Sequence, residues 1–519
     1  MPNAERQLST VISNTRSTCP QSLSTHFSKG LKPMFNGEVT QRTLELLKGI
    51  DLAKATFQTS TGLVNYDLTG PAKKLYPVLS PLRNALPRVM GNGDTATRWK
   101  AITAVNTNNL SPGVSEGKRG GRISITEQDY TSAYAGLGLE GDVTFEALYA
   151  AQGFDDARAR TVESVLRAVM IAEERVILNG NASLALGTPA APVATLASGG
   201  SITVQAGNLV YVVALTPEGF LNANIANGVP RSVSRTNIDG TTDSYGGGSS
   251  NVSAASNAIT TTSGNQTISA TVAAVPGAAG YAWYLGTSAA NAALAQITSA
   301  NKVTLVANGA GTQTASQITA DNSRNTLLFD GFLTQIVNNF NQSGTAYYKS
   351  LDGAFLTSDG ASGIVEIDVA LKSQWDANRL SPSKLWVSSQ EAANINKKVL
   401  AATGVPLFRI NLDVDGKPAV IGGSMVAGYF NKFAPGGGQV IPMEIHPYLT
   451  AGTLLMQTEY LPYPLSNVDN VAQIKCRRDY HQVDWPITSR TYQFGVYLDE
   501  VLQVFAPFAF CVLANIGNG

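Results

Sequence analysis

Cysteine is scarce in this 519-residue chain, which has only Cys19, Cys476 and Cys511, far apart and without a C-x-x-C pair. Such a scattered, odd-numbered set supports neither a disulfide framework nor a zinc site, and it is typical of synthesis in a reducing compartment. Long apolar runs are missing too, since no stretch reaches the roughly 18 apolar residues of a transmembrane helix. The first residues also lack the apolar segment of a signal peptide. The sequence therefore predicts neither a membrane span nor secretion.

Charge is also in short supply. Charged residues make up 14% of the chain, against about 25% in ordinary soluble domains. The 37 Lys and Arg residues balance the 37 Asp and Glu residues, and there is no basic stripe of the kind that holds nucleic acid directly. A long, neutral chain that is rich in Gly, Ala, Ser, Thr and Asn favours a protein that hides much of its surface against neighbours.

Groups for catalysis are few. The histidines are His26, His446 and His481, and neither G-x-S-x-G nor H-E-x-x-H occurs. We interpret each histidine as structural. Asp155 and Asp156 are adjacent, so on a helix they diverge by about 100° and suit its N-terminal end better than a shared substrate. The sequence predicts no catalytic residue, no cofactor and no metal, and therefore a protein that is not an enzyme.

Residues 136–141, "GLGLEG", have the G-x-G-x-x-G spacing of a dinucleotide-binding turn. That turn needs a buried strand before it and a helix that begins within it. Here the preceding residues are polar and alternating, and "DVTF" follows. We therefore interpret Gly136, Gly138 and Gly141 as a hinge, where glycine supplies a soft backbone.

Residues 411–416, "NLDVDG", begin like a calcium-binding loop. The twelfth position of such a loop supplies a bidentate Glu, but here it is Gly422. The sequence favours a β-hairpin with an Asp-Gly turn instead.

The periodicity of the chain predicts a mixed α+β fold. Residues 98–105 and 122–126 alternate apolar with polar side chains, as the two strands of a long ribbon with a polar tip would. Residues 155–178 carry one apolar stripe and predict a helix of about 36 Å that ends at Asn179-Gly180. Helices are also predicted within 325–342 and 388–401. The run 501–516 predicts a buried strand pair.

The composition changes between residues 197 and 320, where charges nearly vanish and short β-branched runs alternate with turn residues. This pattern predicts an all-β sandwich of immunoglobulin size, inserted into the host fold. The piece "ISATVAAVPGAAGYAWYLGT" resembles the fibronectin type III pattern.

The tip of the ribbon reads "EGKRGGR" and places Lys118, Arg119 and Arg122 beside glycines. One interpretation is a solvated loop. The other is an arm that docks on an acidic neighbour, where the arginines make bidentate contacts. We take the three basic residues as candidate inter-subunit contacts.

The order of these parts resembles the major capsid proteins of tailed bacteriophages, which have the Hong Kong 97-type (HK97-like) fold. The resemblance is carried by "DVTFEAL", by "AEERVILNGN" and "LGTP" at the long helix, and by the character of "RDYHQVDWPITSRTYQFGVYLDEVLQVFAPFAF". It covers all of the chain except the insertion. It implies an N-terminal arm (1–92), an extended loop (93–141), a first peripheral part with a spine helix (142–196), the insertion (197–320), an axial domain with adjoining peripheral segments (321–440) and C-terminal peripheral strands (441–519).

The resemblance also implies a function. Copies of the chain would assemble as hexamers and pentamers into an icosahedral head that encloses double-stranded DNA, after synthesis in the bacterial cytoplasm. The sequence lacks an acidic, heptad-rich scaffold segment, which implies a separate scaffolding protein beside the portal and decoration proteins. In some relatives a lysine in the extended loop forms a side-chain cross-link, but nothing identifies a partner for Lys118. The alternative is a phage or bacterial surface-binding protein that uses the sandwich as an adhesive module.

Overall fold

A computed structural model describes residues 79–105, 108–152, 156–343, 345–361, 363–401, 411–414, 417–420, 426–434 and 438–519. Most of the predicted arm, residues 1–78, lies outside these ranges, as do His26 and Asp155. Helices and strands both occur throughout the described part, so the predicted α+β class is confirmed. No helix in these ranges is long and apolar enough to cross a membrane.

The helices are α1 (Pro81–Ala85), α2 (Phe145–Ala151), α3 (Ala157–Asn179), α4 (Pro217–Asn222), α5 (Phe332–Ser343), α6 (Val365–Asn378) and α7 (Ser389–Ala401), with 3-10 turns at Ala315–Gln317 and Pro507–Ala509. The strands are β1 (Arg88–Met90), β2 (Ala96–Val105), β3 (Ile125–Ala133), β4 (Ala135–Thr144), β5 (Val193–Ser198), β6 (Gln205–Leu215), β7 (Ser232–Thr236), β8 (Thr242–Gly246), β9 (Ile259–Thr261), β10 (Gln266–Thr271), β11 (Gly280–Gly286), β12 (Ala293–Thr298), β13 (Lys302–Leu305), β14 (Tyr347–Ser350), β15 (Lys384–Val387), β16 (Asn411–Val414), β17 (Lys417–Val420), β18 (Gly428–Asn431), β19 (Gln439–Ile445), β20 (Leu454–Gln457), β21 (Ala472–Asp484), β22 (Thr491–Val504) and β23 (Phe510–Ala514).

The long helix α3 matches its prediction closely. Asp156 is its N-cap, and the side chain accepts a hydrogen bond from the Ala159 N–H at 3.0 Å. The helix ends at Asn179, with Gly180 as the C-cap. Its buried face includes Val169 and Ile177, as the apolar stripe predicts, but it also includes two glutamates.

A four-stranded sheet lies against α3. Its strand order is β1-β21-β22-β4, with β1 parallel to β21 and the other pairs antiparallel. Ile474, Val496 and Leu502 of this sheet share one core cluster with Val169 and Ile177 of α3. The sheet and the helix therefore bury each other.

The predicted ribbon is present, but its second strand was misplaced, since it runs from Ile125 to Ala133 and not over residues 122–126. Strands β2 and β3 pair antiparallel from Ala96 opposite Ala133 to Val105 opposite Ile125, and they form a sheet of their own. After Tyr134 the chain enters β4 in the four-stranded sheet. The ribbon is thus covalently joined to that sheet at both ends, through residues 91–95 after β1 and through Tyr134 before β4.

A second, six-stranded sheet has the order β14-β23-β20-β15-β19-β18. Helices α6 and α7 contribute Ile367, Leu371 and Ile395 to its core. The predicted hairpin at 411–420 pairs β16 with β17. The run 501–516 does form buried strands, but they are not paired with each other as predicted, because β22 ends in the four-stranded sheet and β23 lies in the six-stranded one.

Residues 193–305 contain two facing sheets, β13-β10-β5 and β12-β11-β6-β9, and a separate two-stranded sheet of β7 and β8. Val212, Ile268 and Trp283, which come from both sheets, lie in one core cluster. The chain segments before and after the insertion lie side by side, since the Gly187 N–H donates to Asp321 Oδ2 at 2.7 Å. The observed strands agree with a sandwich whose two ends meet. Its relation to immunoglobulin or fibronectin domains stays a prediction.

Candidate interaction surfaces

The base of the ribbon is held on the body by aromatic packing. Trp99 of β2 stacks on Tyr130 of β3, with ring centroids 5.5 Å apart, and meets the edge of Phe505 at 5.7 Å. Close by, Lys475 Nζ donates to Thr97 Oγ1 at 3.2 Å. These contacts fix the direction in which the ribbon leaves the body.

The distal half of the ribbon is different, because its apolar side chains face water. Ile102 is 63% exposed, Val105 61% and Ile125 55%. Isolated exposed apolar residues are ordinary, but a series on a two-stranded ribbon forms an apolar surface that another molecule can cover. An isolated two-stranded hairpin is only marginally stable in water. The ribbon is therefore the best candidate for an interaction surface in the described chain.

The three basic candidates lie at the tip of this ribbon. Lys118, Arg119 and Arg122 are all exposed. The tip is ordered by backbone contacts: the Lys118 N–H donates to the Ser115 carbonyl at 3.0 Å, and Asn108 Nδ2 donates to the Arg122 carbonyl at 3.3 Å. Within the described ranges, no ion pair engages the three side chains. Their role as inter-subunit contacts stays a prediction.

The glycines of "GLGLEG" lie in β4, in an antiparallel ladder with β22. A Cβ atom on Gly138 would lie 2.2 Å from Cδ1 of the Tyr497 ring, and one on Gly141 would lie 2.9 Å from Val165 Cγ2 of α3. A Cβ on Gly136 would meet nothing within 4 Å. Close packing thus accounts for two of the three glycines, and the hinge interpretation of all three stays a prediction.

The three glycines offer a matched set of variants. We expect Gly138→Ala to lower the free energy of unfolding by about 1–3 kcal/mol, because the added methyl displaces the Tyr497 ring. Gly136→Ala should be neutral or stabilising by up to about 1 kcal/mol, because a methyl there meets open space. Urea unfolding of both variants checks this. Equal effects at the two positions would contradict the packing explanation, and a hinge common to all three requires assembly to change even in Gly136→Ala.

A buried cluster of charged side chains beneath α3 was missed by sequence reasoning. Its centre is Glu173, whose side chain is fully buried. Glu173 accepts hydrogen bonds from Arg83 Nε at 2.7 Å, from Arg88 Nη1 at 2.5 Å and from the Tyr480 hydroxyl. Both guanidinium groups lie over the Tyr480 ring, at 5.1 and 5.2 Å from its centroid.

The neighbouring Glu174 is also fully buried. It accepts from the Leu82 N–H at 2.9 Å and from the Arg83 N–H at 2.7 Å, at the start of α1. His446 Nε2 lies 2.7 Å from Glu174 Oε1, while His446 Nδ1 accepts from the Tyr448 N–H. Because Nδ1 accepts this bond, Nε2 is the nitrogen that donates to the carboxylate. His446 therefore has the structural role predicted for it.

Glu500 of β22 completes the cluster. It accepts from Arg88 Nη2 at 2.9 Å. Burial, and then the negative charge of Glu173, raise the pKa of Glu500 to about 8 despite the opposing effect of Arg88. Burial opposes the charge on Arg88, but Glu500 and Glu173 outweigh it and raise the Arg88 pKa. Burial thus favours the protonated form of the Glu500 carboxyl group.

One signal in the sequence could have revealed these carboxylates. Val169, Glu173 and Ile177 recur at four-residue steps, so Glu173 lies within the apolar stripe of α3. A charge inside such a stripe must be paired or hydrogen-bonded once the helix is packed. The partners Arg83, Arg88 and Glu500 are distant in sequence, and no local pattern identifies them.

The remaining histidine and cysteine side chains of the described ranges do not come together in one site. His481 lies on β21 and contacts the Asp479 carbonyl at 3.0 Å through Nδ1. Within the described ranges, no group of three or more His, Cys, Asp or Glu residues is placed to hold a metal ion. Cys476 and Cys511 are buried, and burial raises the pKa of Cys476 to about 12, which disfavours the reactive thiolate.

Comparison with known proteins finds similarity to solved structures only. No protein-family model matches it, and no curated protein matches it by sequence. The holo-SrpI encapsulin complex from Synechococcus elongatus PCC 7942 is 9% identical, with a TM-score of 0.38 over 88% of this chain and 95% of that one. The capsid of Myoviridae phage XM1 is 9% identical, with a TM-score of 0.39 over 90% and 99%. The capsid of a native GTA particle is 11% identical, with a TM-score of 0.40 over 88% and 96%.

Proposed function

We propose that this chain is the major capsid subunit of a tailed bacteriophage, and that copies assemble as hexamers and pentamers into an icosahedral shell around double-stranded DNA. The observation that carries the proposal is the ribbon, which is anchored at Trp99 and exposes Ile102, Val105 and Ile125 beyond it. The sequence resemblance at "DVTFEAL" and "AEERVILNGN" supports it independently.

The energetics favour assembly. Burial of one exposed Val or Ile side chain contributes about 1.5–3 kcal/mol. Burial of a few such side chains on each ribbon would therefore stabilise an interface between copies substantially. A ribbon that leaves one copy and lies on the next is a heterologous contact, and such contacts close into rings when the rotation permits. Part of the stability of each copy would then come from its neighbours.

Other parts of the chain fit this role. In the proposal, α3 with the four-stranded sheet forms the peripheral domain, and the six-stranded sheet with α6 and α7 forms the axial domain. The two-sheet insertion is an added module whose ends meet at Gly187 and Asp321. The low charge of the chain suits a surface that is largely covered by other copies. A separate scaffolding protein, a portal and decoration proteins are the expected partners, and the shell performs no catalytic turnover.

The proposal is tested by imaging the purified chain, alone and with its scaffolding protein, after velocity sedimentation. Closed particles, or hexamers and pentamers, are the expected result. A compact monomer under both conditions, at concentrations where shell proteins assemble, would contradict the proposed function.

The ribbon tip provides a sharper test. Replacing Lys118, Arg119 and Arg122 together by Ala should lower the melting temperature of particles and their resistance to salt, while the melting temperature of the monomer stays the same. The reason is that all three side chains are exposed in the isolated chain and would gain partners only between copies. A matched control replaces the exposed Lys349, Lys372 and Lys397. If particles of the triple variant were as stable at high salt and high temperature as native particles, the tip would not be part of the interface between copies.

A further inference from the structure

Residues 79–90, here called the latch segment, lie between the N-terminal residues and the ribbon. They contain α1 and β1, and they rest on α3 and along β21. The buried side chains of Leu82 and Leu86 hold the segment from one side. Its regular backbone contacts are few, since β1 pairs with β21 over Arg88, Val89 and Met90 only. The charged cluster described above supplies most of its remaining contacts.

We propose that Arg88, Glu173 and Glu500 form a proton-operated latch, which holds the latch segment on α3 most tightly in mildly acid solution and loosens as the solution becomes alkaline. The inference concerns the fold of this chain, and it does not depend on the proposed function. It rests on the buried meeting of two carboxyl groups with a guanidinium that the latch segment itself supplies.

The geometry favours a proton on Glu500. Glu173 and Glu500 are both fully buried, and each is within 3 Å of Arg88 nitrogens. Glu500 Oε1 has no hydrogen-bond partner within the described ranges. Glu173 receives hydrogen bonds from Arg83, Arg88 and Tyr480, whereas Glu500 has only its Oε2 atom on Arg88. Burial with one oxygen unpaired favours the neutral, protonated form of Glu500.

Each element around Glu500 contributes a charged or titratable group. The latch segment contributes Arg88, α3 contributes Glu173, and β21 contributes Cys476 and Asp479. Cys476 stays a neutral thiol, because its pKa is raised to about 12. Asp479 is half exposed and pairs with Arg88 Nη2 at 2.8 Å. The latch segment also contributes Arg83 and β21 contributes Tyr480, and both donate to Glu173. Arg88 is divided among Glu173, Asp479 and Glu500, so it only partly compensates a negative charge on Glu500.

The sign of the effect follows from the pKa of Glu500, which is raised to about 8 while the latch is closed. Release of the segment lets water reach the carboxyl group and moves its pKa back toward its ordinary value of about 4.3. The closed state thus binds the proton more tightly. The free energy that this proton contributes to the closed state is therefore fully present in acid. It is lost progressively as the pH rises to about 8.

The latch segment leads directly into the base of the ribbon. Gly91, just after the segment, donates its N–H to the Cys476 carbonyl at 2.7 Å, and β2 of the ribbon begins at Ala96. Loosening of the segment therefore frees the chain that enters the ribbon at its base. In this way the proton on Glu500 is coupled to how firmly the ribbon base is fixed.

Hydrogen exchange on the full-length chain tests the latch, with protection corrected for the intrinsic effect of pH. The reporting amides are those of Leu86 and Gly91, which donate to the Leu82 and Cys476 carbonyls. We expect their protection to fall about tenfold or more between pH 6 and pH 9, while amides of β23 in the other sheet change little. Equal protection at the two pH values, or an equal loss in β23, would overturn the proposal.

Variants separate the latch from a general loss of stability. Glu500→Gln keeps an uncharged group of the same shape, so protection at pH 9 should match that at pH 6. Arg88→Ala should lower protection at both pH values, and Asp479→Asn should keep the pH dependence of the native chain. If protection in the Glu500→Gln protein depended on pH as strongly as in the native chain, the proposal would be wrong. If that variant does not fold, the native titration decides, because a midpoint above pH 9 or below pH 5 is incompatible with Glu500.

Discussion

Replacing Glu174 by alanine is expected to lower the free energy of unfolding by about 3–5 kcal/mol. The carboxylate accepts hydrogen bonds from the Leu82 and Arg83 N–H groups, and His446 Nε2 lies 2.7 Å from it. All three donors would be left without an acceptor, and each buried unsatisfied group costs roughly 1–3 kcal/mol. The loss should appear as a lower urea midpoint and as early exchange of α1 amides.

Two further variants give this prediction its controls. Glu174→Gln keeps one carbonyl oxygen for the donors and should cost less than the alanine variant. Glu146→Ala removes a carboxylate from the exposed pair with Arg490, which is worth at most about 1 kcal/mol. If the alanine variants at 174 and 146 were equally stable, the buried network would have no energetic role of the kind described here.

Replacing Trp283 by alanine is expected to cost about 3–5 kcal/mol, but within the insertion only. Trp283 is fully buried between the two sheets, and its Nε1–H donates to Thr298 Oγ1 at 2.8 Å. The core cluster around it consists almost wholly of residues of the insertion, with Leu186 at its edge. Exchange of amides in β6 and β11 should therefore accelerate, while α3 keeps its protection.

Trp283→Phe should be milder, since it retains most of the buried area and loses the hydrogen bond. Trp485→Ala is the matched control, because Trp485 is 43% exposed and its removal leaves no internal cavity. A simultaneous loss of protection in α3 and β11 of Trp283→Ala would show that the insertion and the body unfold as one unit, contrary to this prediction.

Several elements of the fold are predictable because their signals are local. The apolar stripe of α3 and its stop at Asn179-Gly180 are visible within one window of sequence. Alternation over residues 98–105 also predicts the first strand of the ribbon, whereas the second strand runs from Ile125 to Ala133 and not over 122–126 as predicted. Helix α6 was missed, because Val365, Ile367 and Val369 at its start alternate as they would in a strand. Packing of Ile367 and Leu371 against the six-stranded sheet overrides that pattern.

The candidate interaction surface was only partly predictable. Alternation placed a ribbon around Lys118, Arg119 and Arg122, but it did not show that Trp99 anchors the base while Ile102 and Ile125 stay exposed. The glycines show the same limit. Their spacing suggested first a nucleotide and then a hinge, whereas Gly138 lies against a tyrosine that is hundreds of residues away in the chain.

Local order alone was sufficient for the α+β class, the first strand of the ribbon, the long helix and the β-rich character of the insertion, because periodicity and end signals act within a few turns of chain. Only the tertiary structure assigned β22 and β23 to different sheets and brought Arg88 of the latch segment to Glu173 and Glu500. The physical reason is that a buried charge needs partners at a distance of about 3 Å in space. Folding supplies those partners from residues that have no pattern in common along the sequence.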